Sequence, residues 1–141
     1  MPVGPSLRQL HAHRQIHETG LGLAVNMTDE LIRTYQNGTE EEVIQEVIAL
    51  VDFWESRVIS HADSEEEADG FYSETVNQHP ELYDKVQQLI RDHDIMRQIV
   101  AKIKTQMEQE GFSTQIIDYF RSLIIVNEIH SRDEEAFLLQ D

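Results

Sequence analysis

Two short stretches of this chain share an outline. HADSEE, from His61 to Glu66, and HSRDEE, from His130 to Glu135, each set a glutamate four residues after a histidine. On a helix that spacing stacks the two side chains on one face, a turn apart. An imidazole and a carboxylate so placed form either a solvated ion pair or two ligands offered to one cation. The flanking residues decide between these. Val47, Val51, Trp54, Val58, His61 and Glu65 recur at steps of three and four, as do Ile116, Phe120, Leu123, Asn127, His130, Glu134 and Phe137. Both are core stripes, so both motifs are expected to face inward.

A third stripe, Val86, Leu89, His93, Met96, Val100 and Ile103, is broken in the same way by His93. A fourth runs through Leu10, His13, His17, Gly20, Ala24, Met27 and Leu31. His13 is the first choice there, and His17, one turn deeper on the same face, could join or replace it. His11 is turned about 100° from Leu10 and is expected outside. Burying imidazoles and carboxylates costs several kcal/mol, roughly, unless each is paired or bound to a cation.

The elements that must carry these residues are readable from their punctuation. Pro5-Ser6 and Asn37-Gly38 bracket a helix over about 6–37, whose Gly20 and Gly22 predict a kink or a close helix approach. Thr39 before Glu40, Glu41 and Glu42 reads as the cap of a second helix that stops at Gly70. Residues 70–79 read as an irregular connection. Pro80-Glu81 opens a third helix that ends at Gly111, and Ser113 or Thr114 caps a fourth that runs to about 138. The pattern predicts a single all-α domain over 1–141, an up-down-up-down four-helix bundle. In that topology the loops near 38 and 112 share one end. His61, Glu65, His93, His130 and Glu134 then lie about 18 to 27 residues from a loop, within roughly two turns of one height.

Imidazoles and carboxylates without thiolates suit iron or manganese, and zinc is a further candidate. One ion is saturated by four to six donors. Residues His13, His61, His93 and His130 with Glu65 and Glu134 offer enough for two, with the glutamates bridging. The expected metal ligands are therefore His13, His17, His61, Glu65, His93, His130 and Glu134. Glu66, Glu67 and Glu135 read as solvated charge, His79 as a loop or cap residue, and Trp54 as core. Tyr72, Tyr83 and Tyr119 could hydrogen-bond near the site, and the sequence singles out none of them.

Composition narrows the rest. Eleven Lys and Arg against 27 Asp and Glu give a net charge of −16, which argues against nucleic acid and anionic membrane surfaces as partners. There is no cysteine, and no apolar run reaches the ~20 residues of a membrane span. The start, MPVGPSLRQLHAH, lacks the apolar stretch of a secretion signal, so a soluble cytoplasmic protein is expected. A ferritin-like di-iron site needs E-x-x-H on two helices, and no histidine here has a glutamate three residues before it.

The order of motifs resembles the hemerythrin-like family, the HHE cation-binding domains, over nearly the whole chain. LRQLHAH resembles the family's first-helix histidine setting, His61 with Glu65 its second-helix HxxxE, and HDIMR at His93 its third-helix motif. His130 with Glu134, or with Glu135 at the longer spacing, resembles the fourth. The resemblance implies a hemerythrin-like bundle with two non-haem irons and an oxo or hydroxo bridge. It also implies O2, peroxide or NO as the small ligand, while no residue pattern identifies a redox partner. Oxygen-carrying members place HxxxH on the third helix, where this chain has Arg97, and Asp in the fourth motif, where it has Glu. Arg97 would sit on the core stripe as a cation near the site, with His17 or water filling the missing position. Sensing, protection or iron handling is therefore expected rather than bulk oxygen carriage. The competing readings are a di-iron enzyme consuming peroxide or NO, and an interaction module with a purely structural metal site.

Overall fold

The computed structural model of the chain describes residues 10–139. The described residues are all-helical, with short turns and no strand among them. The first helix, α1, spans Leu10–Asn37, so the expected start near residue 6 falls outside the described residues. Helix α2, Glu40–Phe53, runs through a π-helical turn, Trp54–Ile59, into α3, Ser60–Glu66. Then come α4, Phe71–Gln78, a 3-10 turn, Pro80–Leu82, and the long helices α5, Tyr83–Gln109, and α6, Thr114–Leu138. Helix α1 packs on α2 and α6, α5 packs on α6, and the π turn packs on α5. No helix is long and apolar enough to cross a membrane.

Local chemistry explains most of the ends. The Thr39 hydroxyl accepts from the Glu42 amide at 3.2 Å, and the Glu42 carboxylate accepts from the Thr39 amide at 2.9 Å. This reciprocal pair satisfies two amides that the first turn of α2 leaves open. Gly111 closes α5 at φ +82°, a left-handed conformation in which its amide bonds back to the Gln106 carbonyl. Ser113 stands at the start of α6, but its hydroxyl accepts from Gln106 Nε2 at 2.7 Å and caps nothing.

Two expectations fail outright, and a third in one of its two alternatives. A Cβ added at Gly20 or Gly22 would meet nothing within 4 Å, so neither glycine serves a close helix approach. The second rod ends at Glu66, and Gly70 begins α4 instead of stopping the rod. Residues 70–79 are mostly helix, because α4 buries Phe71, Tyr72 and Thr75. Eight residues are too few to hold a helix in water, so tertiary burial makes this one. Gly70 permits the tight turn into α4, since a Cβ there would lie 2.5 Å from the Ser64 carbonyl oxygen and 3.0 Å from that of Glu65. Backbone atoms cannot move aside cheaply. Gly70→Ala is therefore expected to destabilise the chain by about 1–3 kcal/mol, read as a lower midpoint in urea unfolding.

The core has two parts. The larger gathers Ala24, Leu31, Leu50, Trp54, Met96, Ile103, Phe120 and Leu123 with their neighbours. The smaller holds Phe71, Tyr72, Val86, Leu89 and Leu139, with Leu10 packed against it. In α1, α5 and α6 the histidines and glutamates of the stripes fall between residues of these two clusters, while His61 and Glu65 follow Val58 and Ile59 of the larger one. Phe137 is the exception to its stripe: half exposed, it lies under the Lys85 ammonium at 4.0 Å from the ring centre.

Candidate metal centre

The seven expected ligands all meet in the layer between the two apolar clusters. On α1, His13 is fully buried, with Nε2 2.5 Å from Glu134 Oε1 and 3.6 Å from Glu65 Oε2. His17, one turn on, brings Nε2 to 3.4 Å from the same Glu134 oxygen. Both α1 candidates therefore reach the site. His61, at the edge with 27% of its side chain exposed, places Nε2 3.4 Å from Glu65 Oε2. Across the layer, His93 and His130 face each other with Nε2 atoms 3.1 Å apart. Glu65 Oε1 lies 3.5 Å from His93 Nε2, and Glu134 Oε2 lies 3.4 Å from His130 Nε2.

Each carboxylate divides its oxygens. Glu65 gives one to His93 and the other to His61 and His13, while Glu134 gives one to His130 and the other to His13 and His17. Three groups of donor atoms result, each within 4.8 Å: Glu65, His93, His130 and Glu134; His13, His17 and Glu134; His13, His61 and Glu65. Any of the three could hold a metal ion.

Three further carboxylates orient the imidazoles, and sequence reasoning missed all of them. Glu135 Oε2 lies 2.7 Å from His17 Nδ1, Glu66 Oε2 lies 2.6 Å from His93 Nδ1, and Asp92 Oδ2 lies 3.0 Å from His130 Nδ1. A carboxylate only accepts, so each Nδ1 donates to it and Nε2 is left facing inward. Glu135 is 5% exposed and Glu66 half-buried, which corrects their reading as solvated charge. The signal lay in the doublets. In both EE pairs the first glutamate turns inward, and the second, rotated by about 100°, reaches the imidazole of a neighbouring rod.

Arg97 is also corrected. It sits at the rim, paired with Asp63, Glu66 and Asp94 at 2.7–2.8 Å, and reaches the site only through Glu66 and His93. Among the tyrosines, Tyr72 is singled out. Its buried hydroxyl donates to Glu134 Oε2 and lies 3.5 Å from His93 Nε2. Tyr83 is half exposed, and Tyr119 packs on the larger core.

The arrangement fits a cation. With both Nδ1 atoms donating outward, the neutral imidazoles of His93 and His130 would aim two lone pairs at each other across 3.1 Å. Glu65 Oε2 and His61 Nε2 are buried without a hydrogen bond. Such atoms are costly unless something positive stands among them. Without a metal, protons serve. Burial lowers the His130 imidazole, but Asp92 and Glu134 outweigh it and push it up to about 10. Burial, then His130, pushes His93 down to about 3. Burial and the neighbouring Glu134 drive the Glu65 carboxyl well above its ordinary range. Burial opposes ionisation of Glu134 too, yet His13, His130 and His17 hold it well below that range. Burial also lowers His61.

Removing an orienting carboxylate should loosen the centre without unfolding it. Asp92→Ala leaves His130 Nδ1 without its acceptor, and metal affinity is expected to fall about 10–100-fold in a chelator competition titration, with helical circular dichroism unchanged. The chain matches no family model, no curated protein and no solved structure. What the centre does must follow from its own donors.

Proposed function

We propose that this chain is a hemerythrin-like, up-down-up-down four-helix bundle that holds two non-haem irons and binds or responds to O2, peroxide or NO. One observation carries the reading: Glu65 and Glu134 each split their two oxygens between two sets of imidazoles. A carboxylate serving one ion has no need of that division; one bridging two ions does. His93 and His130 would hold one iron, and His13, His17 and His61 the other. Imidazole and carboxylate donors suit iron, and the resemblance in motif order selects it over manganese and zinc. When bound, a reduced iron pair supplies electrons and an open position to O2, peroxide or NO.

The chain's own residues prepare the site for that ligand. A cavity of about 420 Å³ reaches His61, His93 and His130, with Ile16, Gly20, Val58 and Met96 on its walls. Its apolar walls let a small uncharged molecule approach while offering water few partners. The cavity opens beside the partly exposed His61, and that path for exchange with solvent is what a second reading, an enzyme that consumes peroxide or NO, also requires.

Iron-loaded, reduced protein separates these. Binding for sensing or protection predicts a reversible change in visible absorption on admitting and removing O2. The enzyme predicts many turnovers of peroxide or NO per iron pair. Neither response, together with a large loss of helicity on chelation, would contradict both and leave a structural metal.

A further inference from the structure

We propose that the hydroxyl oxygen of Tyr72 is itself a metal donor, completing the half of the centre that His93 and His130 begin. This rests on the metal reading above and names a ligand within it. Helix α5 supplies that half with one imidazole only, because Arg97, one turn on, is tied at the rim to Asp63, Glu66 and Asp94. Helix α4 supplies what is missing. It brings Tyr72, 2% exposed, against the layer, with its ring parallel to His93 at a centroid distance of 5.6 Å.

The contacts of the hydroxyl are all with donors of the site. It gives its single proton to Glu134 Oε2 and has only lone pairs left for His93 Nε2, 3.5 Å away. His93 has its own proton on Nδ1, held by Glu66, so its Nε2 also offers a lone pair. The oxygen of Tyr72 and the Nε2 atoms of His93 and His130 thus converge, and a cation standing where a proton now links the two imidazoles would meet a lone pair from each. When ferric iron binds there, the O–H bond breaks, the proton leaves to solvent and the oxygen–iron bond forms, with no electron transferred. A bound cation makes that exchange favourable despite burial.

Phenolate on ferric iron absorbs strongly in the visible and enhances tyrosine ring vibrations in resonance Raman; imidazole and carboxylate ligands do neither. The test loads wild type and Tyr72→Phe with Fe(II), oxidises both in air, and measures iron content, visible absorption and Raman spectra. Wild type grown on ring-deuterated tyrosine provides a second arm that needs no variant. The expected result is a visible band whose Raman modes shift on deuteration, and its loss in Tyr72→Phe while iron remains bound. Iron-loaded wild type without tyrosine modes would overturn the proposal and leave the di-iron reading standing, as would modes that persist in Tyr72→Phe. A chain that takes up no iron would overturn both.

Discussion

Replacing His61 and His130 together by alanine is expected to abolish metal loading. His61 shares its donor group with His13 and Glu65, and His130 shares its own with His93, Glu65 and Glu134. The pair of changes therefore removes one imidazole from each half. Each single change should cost one ion and leave the other, because the remaining donors of the untouched half stay in place. The fold should survive better than the site. His61 is partly exposed, so its loss opens little space. His130 is 4% exposed, and its truncation leaves a small void beside the half-buried Asp92, at a cost of roughly 2–4 kcal/mol. Metal analysis of the purified variants, with circular dichroism as the control for folding, reads the outcome. Full loading of the double variant would rule this centre out.

The two glutamates should part company when each is changed to glutamine. Burial and Glu134 keep the Glu65 carboxyl protonated in the metal-free chain, so glutamine replaces a neutral group with a neutral group of the same shape. Glu65→Gln should leave metal-free stability nearly unchanged and eliminate tight metal binding. Glu134 is different. Its charge is held by His13, His130 and His17 against burial, and the Tyr72 hydroxyl donates to it. Glu134→Gln leaves these partners facing a neutral amide in a buried layer, with an expected loss of about 3–5 kcal/mol of metal-free stability as well as of metal. The sign of the pH dependence follows. A carboxylate held below its ordinary range stabilises the fold at neutral pH, and that stabilisation is lost as the pH falls through its depressed folded value. The wild-type chain should therefore show a steeper acid loss of stability than Glu134→Gln. Metal uptake should also release protons, from His130 and Glu65, so affinity rises with pH. Urea melts across pH, and titration in weakly buffered solution, measure both.

Much of the fold was legible where a residue has one local role. Thr39 with Glu42, Pro80 and Gly111 mark ends because capping, a missing amide and a left-handed φ are local physics. The inward histidines were legible because they interrupt apolar stripes of regular period. The π turn at Trp54–Ile59 was not, since it changes the period itself. The added residue turns the rod, so Leu50 and Phe53 are buried before it and Ala62 and Glu65 after it, leaving His61 at the edge. Helix α4 was hidden for another reason. FYSETVNQ shows no long period, and its burial depends on Val86, Leu89 and Leu139, which are distant in sequence. The orienting carboxylates Glu66, Asp92 and Glu135 each serve a histidine on another rod, so no spacing within one helix reveals them.

The central claim is that this polar layer exists to hold a pair of ions, and anomalous diffraction from crystals of the iron-loaded chain tests it most directly. Two iron peaks per chain are expected, one beside His93 and His130, the other beside His13, His17 and His61, with Glu65 and Glu134 touching both. A fully loaded crystal with a single peak, or with peaks away from these residues, would contradict it.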